Sequence, residues 1–213
     1  MKLRNNTTDG EAARKAILTY GTLLEKQLSY FIPEPTFERN EESENSHVTA
    51  ICKYLSKSKI ASYECGVITL TGHEADQHMI DSVWAMIDVL SAPDNTVSVN
   101  KAINSAFALR SPESLCFIKN NQRIIHVISI QNDAEVPVLQ LVQEKTYTNN
   151  GVQVGDEDKI SSLLLIAIRE KKTLAAISRL KLTIPHKIAL LSGGMLEKPS
   201  ISYFGTPSVT HDI

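Results

Sequence analysis

No stretch of this chain approaches the ~20 consecutive apolar residues that a membrane-spanning helix requires. The opening MKLRNNTTDGEAARK lacks the apolar core of a secretory signal. Only three cysteines occur, Cys52, Cys65 and Cys116. Odd in number and widely spaced, they offer no disulfide framework and suit a reducing compartment. Positive charge is not in surplus either: 22 basic residues against 24 acidic ones leave a net charge of −2. A strongly basic nucleic-acid binder carries more than that, so any route to DNA runs through a local basic face. No Walker-type phosphate loop, G-x-S-x-G elbow or dinucleotide fingerprint is present. The expectation is a cytoplasmic, non-enzymatic protein with no cofactor, no bound metal and no membrane partner.

What is present is an ordinary globular composition, 42% hydrophobic and 22% charged over 213 residues. That is enough chain for one large domain or two small ones. Three times a threonine precedes a glutamate by three positions: Thr8 and Glu11, Thr22 and Glu25, Thr71 and Glu74. In a capping box the hydroxyl accepts a free N–H of the new helix while the glutamate reaches back to the threonine N–H. Read so, these pairs start helices near Gly10, Thr22 and His73. The first helix ends at Gly21, a C′ glycine, and the second at Pro33 and Pro35. A polar acidic stretch from Glu34 to Ser46 reads as a loop. A third helix, capped by Asn45 or Ser46, reaches Lys57, with Val48, Ile51, Cys52 and Leu55 as its buried stripe. Ile60–Tyr63 and Val67–Leu70 flank Gly66 as a hairpin.

Helix, tight turn, helix, third helix and hairpin together suggest a winged helix-turn-helix over residues 1–72. In that layout the third helix enters the major groove. Ser46, His47, Thr49, Lys53 and Lys57 on its outer face, with Lys59 beside the hairpin, are the candidate nucleic-acid-binding residues. Against this, residues 1–72 carry nine basic and nine acidic side chains. Duplex affinity depends heavily on phosphate neutralisation, so a protein-interaction role competes.

Behind it, residues 73–205 read as a small mixed α/β domain, making the chain α+β overall. A helix from His73 to Leu90 has Ile80, Val83, Trp84, Ile87 and Leu90 on its apolar face and Asp81, Ser82, Ala85 and Asp88 opposite. Trp84 is expected between the two halves. Leu115–Lys119 and Arg123–Ile130 form the clearest hairpin. A helix over about 133–146, a polar link over 148–158, a strand at Ile160–Ile168 and a helix at Glu170–Leu180 follow. Strands at Lys187–Leu191 and Ser200–Phe204 complete the domain, and residues 206–213 read as a loose tail.

Chemistry is sparse. Cys52, Cys65, His73 and His78 lack the close cysteine pair of a zinc site, and Glu74, His78 and Asp81 share a helical face that is ordinarily solvated. Pro93-Asp94 with Glu157-x-Lys159 matches the letters of a PD-(D/E)xK nuclease, but the hairpin strands hold no acid to share a metal. Arg169, Lys171, Lys172, Arg179, Lys181 and Lys187 form a basic cluster opposed only by Glu170, either a solvated helix face or a second anionic-partner surface.

Four stretches carry a resemblance: YGTLLEKQL, DSVWAMIDVL, LCFIKNNQRIIHVISI, and LLLIAIREKKTLAAISRL leading to KIALLSGG. They resemble uncharacterised winged-helix proteins of plasmids and integrative or conjugative elements of Gram-positive bacteria, similar in style to replication-relaxation proteins. The resemblance implies a DNA-associated accessory role in plasmid replication, relaxation or transfer. Expected partners are duplex DNA, another protein of such a complex, or a second copy in a homodimer. It supplies no active residues to carry over.

Overall fold

Leu23 and Leu24, expected in the second helix, form a strand instead, paired with Ile68 and Val67. The structure is a computed structural model describing residues 6–32, 41–97, 99, 103, 106–109, 112–120, 123–149 and 161–205. Helix α1 (Asn6–Tyr20) stops where Gly21 takes φ 74° and its N–H bonds the Ile17 carbonyl at 2.9 Å. Strand β1 (Thr22–Leu24) comes next, then a single helical turn α2 (Glu25–Leu28) and a 3-10 turn at Ser29–Phe31. Helix α3 (Glu41–Lys57) leads into β2 (Ala61–Glu64) and β3 (Val67–Leu70). The three strands form an antiparallel sheet in the order β1-β3-β2. The β2–β3 turn places Cys65 and Gly66 at φ 50° and 79°, the two positive values a two-residue I′ hairpin needs.

None of the three Thr-x-x-Glu pairs caps a helix. Thr8 lies inside α1, and Thr22 lies in β1, where its hydroxyl accepts from Asp76 N at 3.3 Å. Thr71 donates to the Lys59 carbonyl at 3.0 Å. The helix after it, α4 (Gln77–Leu90), is capped by Asp76, whose carboxylate accepts from His78 and Met79 N–H. A charged acceptor next to the helix start outcompetes a hydroxyl five residues upstream. At α2 the reaching side chain is Gln27, which accepts from Leu24 N at 2.9 Å. Residues 41–46, expected as loop, are the first turns of α3: glutamate is a good helix former and favours the N-terminal turn. Positions 33–40 lie outside the described residues.

The second half is a six-stranded sheet in the order β4-β5-β6-β7-β8-β9. Its strands are β4 (Phe107–Ala108), β5 (Leu115–Lys119), β6 (Arg123–Ile130), β7 (Ser161–Ile168), β8 (His186–Ser192) and β9 (Ser200–Gly205). β6, β7 and β8 are parallel and the other pairings antiparallel. The β5–β6 hairpin falls where its β-branched runs place it. A 3-10 turn at Asp133–Glu135 and helix α5 (Val138–Asn149) come between β6 and β7, and α6 (Lys171–Arg179) between β7 and β8. The architecture is mixed α+β, with six α-helices and two sheets among the described residues. The link at 150–160 and the tail at 206–213 lie outside them.

β7 explains the layering. Leu163, Leu165 and Ala167 point to one face, joining α4 and the three-stranded sheet in a single core; Leu164, Ile166 and Ile168 point to the other, under α5 and α6. A strand buried on both faces must read as a continuous apolar run, and LLLIAI does. Each such Leu or Ile contributes roughly 1.5–3 kcal/mol on burial. From Met79 onward α4 is correspondingly buried at every position but Asp88, which is partly exposed and accepts from Tyr203 Oη at 2.7 Å. Asp81, Ser82 and Ala85, expected on a solvated face, are each 0% exposed, because one side of α4 meets the six-stranded sheet and the other meets β1 and α2. Gln27 of α2 donates to the Ile80 carbonyl at 2.7 Å. Trp84 packs where the halves meet, edge-on to Tyr30 with ring centroids 6.2 Å apart.

Candidate nucleic-acid interface

Helix α3 divides by burial as its spacing demands. Val48, Ile51, Cys52 and Leu55 are buried, while Ser46, Ala50, Lys53, Tyr54 and Lys57 form the exposed stripe. The helix ends in a Schellman pattern: Ile60 N–H bonds the Leu55 carbonyl at 3.1 Å and Lys59 N–H the Ser56 carbonyl at 3.0 Å. The C′ position of that motif is left-handed and usually glycine, yet here it is Lys59 at φ 57°. Lys53, Lys57 and Lys59 are exposed and enter no ion pair among the described residues.

The other two candidates are committed internally. His47 Nε2 lies 2.9 Å from Asp9 Oδ2, fastening α3 to α1. Thr49 Oγ1 donates to the Glu25 carboxylate, which also accepts from Tyr63 Oη at 2.5 Å. Glu25 thereby ties α2, α3 and β2 together. Burial, then the Glu25 contact, raises the Tyr63 hydroxyl above its ordinary range. Burial likewise pushes the Cys52 thiol up to about 12. His47 and Thr49 thus hold the helix in place, leaving Ser46, Lys53, Lys57 and Lys59 free to touch a partner. Tyr54, 61% exposed, lies on the same stripe, the outer face to which the helical spacing assigns it.

The hairpin contributes little charge. Glu64 is its only charged side chain, and its turn is pulled back by a 2.8 Å bond from Glu25 N–H to the Gly66 carbonyl. The acids at 41, 42 and 44 occupy the opposite end of α3 from the lysines. Nine residues of helix put Glu44 ~13 Å from Lys53 along the axis, beyond the ~8 Å screening length of physiological salt. The basic residues of α3 thus lie in its C-terminal half and the acidic ones in its N-terminal turns.

Lys119 Nζ pairs with Asp94 Oδ2 at 2.7 Å, and this hydrogen bond lowers the Asp94 pKa, so the aspartate of the nuclease-like letters is a lysine's counter-ion. Glu157 and Lys159 lie outside the described residues. Cys52 is in the core and Cys65 in the exposed turn, and among the described residues no three His, Cys, Asp or Glu side chains group as metal ligands. His78 Nδ1 lies 3.0 Å from the Ser129 carbonyl. Asp81 accepts from Arg169 Nε and Nη2 at 2.7–3.0 Å, from Gln77 at 2.8 Å and from Gln131 at 2.9 Å. This buried cluster fastens α4 to the ends of β6 and β7 and has no acceptor lone pair to spare. Comparison with known families, curated proteins and solved structures returned no match. Within the described residues no helix is long and apolar enough to cross a membrane.

Proposed function

We propose that residues 6–70 form a winged helix and that the chain is a non-enzymatic DNA-associated accessory protein. The order α1, β1, α2, α3, β2, β3 with sheet order β1-β3-β2 supports the first part. The observation that carries the second is the set Lys53, Lys57 and Lys59, exposed on the C-terminal half of α3 and in no ion pair among the described residues. Ser46 and Tyr54 share that surface. The hairpin packs against the helices and adds no phosphate contact. A place in plasmid or conjugative-element replication, relaxation or transfer rests on the sequence resemblance alone.

Titration of mixed-sequence duplex DNA over a salt series tests the reading. Three phosphate contacts give a log–log salt slope of about −2.7, or about a 40-fold loss between 50 and 200 mM salt. Lys53→Ala with Lys57→Ala flattens that slope by about 1.8. No binding at low salt overturns the proposal. It then favours a protein-interaction scaffold, for which Leu18 and Tyr54, 53% and 61% exposed, offer apolar contact on the same half.

A further inference from the structure

We infer that the outer face of α6 is a second nucleic-acid backbone surface, so that one molecule bridges two duplexes. The inference rests on the reading of α3 as the first contact. Lys171, Arg179 and Lys181 are exposed and enter no ion pair among the described residues. Lys172 is held at 2.8 Å by Glu170, the only acid between positions 170 and 181, and Arg169 is committed to Asp81. Residues 170–181 hold Lys171, Lys172, Arg179 and Lys181 beside Glu170, four positive charges less one negative, a net of +3.

Helix stability accounts for Arg179, in the last turn where the dipole favours positive charge, but not for the two lysines at the other end. Lys171 and Lys172 occupy the first two positions of α6, where the helix dipole disfavours positive charge. Lys181 follows the helix at φ 51°, a left-handed position that glycine ordinarily fills. Lys59 at the end of α3 repeats that substitution. In both places a backbone that calls for glycine carries a lysine, at the basic end of an exposed helix.

The partner is identified by what the face lacks. Between the basic residues its exposed positions are Ala175 and Ser178, and no large exposed apolar side chain belongs to α6. Protein interfaces are anchored by aromatic and apolar side chains, whereas a phosphate backbone is recognised by charge alone. α6 packs on the sheet face opposite α4, and α4 carries the three-stranded half on its other side. With about 10 Å per packed layer, α3 and α6 are separated by roughly 30 Å of protein. A straight duplex on α3 leaves α6 open to a second one.

The test uses the full chain, a biotinylated 30-base-pair mixed-sequence duplex on beads and a fluorescent duplex of the same length in solution, at ~50 mM salt. Wild-type protein is expected to capture the fluorescent duplex. Lys171→Glu/Arg179→Glu/Lys181→Glu, at exposed sites that leave the circular dichroism unchanged, is expected to abolish capture while single-duplex binding through α3 persists. Capture that survives in this variant is produced by self-association and overturns the inference. So does wild-type protein that binds one duplex without capturing a second, which leaves α6 to an acidic protein. If Lys53→Ala/Lys57→Ala leaves all binding intact and the α6 variant removes it, the α3 reading fails and the bridge with it, α6 being then the single contact. No binding by wild-type protein overturns both.

Discussion

Replacing Asp81 with alanine removes the acceptor on which four nitrogen donors converge, from Arg169, Gln77 and Gln131. The Asp81 side chain is 1% exposed and that of Arg169 14%, so the guanidinium is left largely desolvated without its counter-ion. Its remaining contact is a 3.3 Å bond from Nη1 to the Gly193 carbonyl. Breaking a buried pair from one side costs about 3–5 kcal/mol. That is a large share of the ~5–15 kcal/mol typical of whole domains. For a chain of this size it corresponds to a fall in melting temperature of roughly 6–20 °C. The readout is built in: Trp84, one turn beyond Asp81, is the only tryptophan and is 1% exposed. Urea unfolding followed by its fluorescence at pH 7 gives the stability of Asp81→Ala, of Asp81→Leu, of Arg169→Met, and of Asp81→Leu combined with Arg169→Met, the last three closing a double-mutant cycle. The combined variant is expected to recover most of the loss, because an apolar pair of similar volume has no charge to desolvate. A single-site cost below ~1 kcal/mol, the range of exposed pairs, refutes the burial argument. Strict additivity of the two substitutions refutes the coupling between Asp81 and Arg169.

Three further outcomes follow from the same geometry. In the native protein at pH 8 a chromogenic disulfide reagent should modify Cys65 quickly and Cys52 only on unfolding, since Cys65 sits in an exposed turn and burial raises the Cys52 thiol to about 12; equal rates for both thiols contradict the assigned core. Tyr63 keeps its proton longer folded than unfolded, so its contribution is complete below pH ~10 and is lost as pH rises beyond it. Tyr63→Phe should therefore reduce stability at neutral pH by roughly 0.5–3 kcal/mol and soften the alkaline limb, which a urea series from pH 7 to 11 measures. Asp94, lowered by its bond to Lys119, behaves oppositely: its contribution is present above the unfolded-chain value of ~3.9 and is lost as pH falls below it. Asp94→Asn should flatten the acid limb, modestly because the carboxylate is half exposed.

What could be read from the sequence, and what could not, divides by the range of the deciding interaction. The β5–β6 hairpin is legible because two β-branched runs and a short polar turn decide it locally, and its strands fall at Leu115–Lys119 and Arg123–Ile130. The buried stripe of α3 and the exposure of Lys53 and Lys57 are legible for the same reason: 3.6-residue periodicity is a property of the helix alone. The Thr-x-x-Glu pairs misled because a capping box is a weak local preference. Thr22 gains more by pairing opposite Thr69 of β3, 47 positions further along, in a three-stranded sheet. His47 and Thr49 look available on a helical wheel, but their partners Asp9 and Glu25 stand 38 and 24 positions earlier. Asp81 was assigned to water on the premise that a helix buries one stripe. α4 buries Asp81 because it is sandwiched, and the guanidinium that makes this tolerable arrives from 88 residues away. The letters hold part of the signal: QHMIDSVWAMIDVL carries two aspartates, Asp81 and Asp88, and an arginine closes LLLIAI, so apolar sequence surrounds an acid that this arginine can pair. Two opposite charges, each embedded in a run that must be buried on both faces, are best satisfied by each other. That inference needs only the count of covered faces, which for β7 was visible in its unbroken apolar run and for α4 became visible only once both sheets were placed against it.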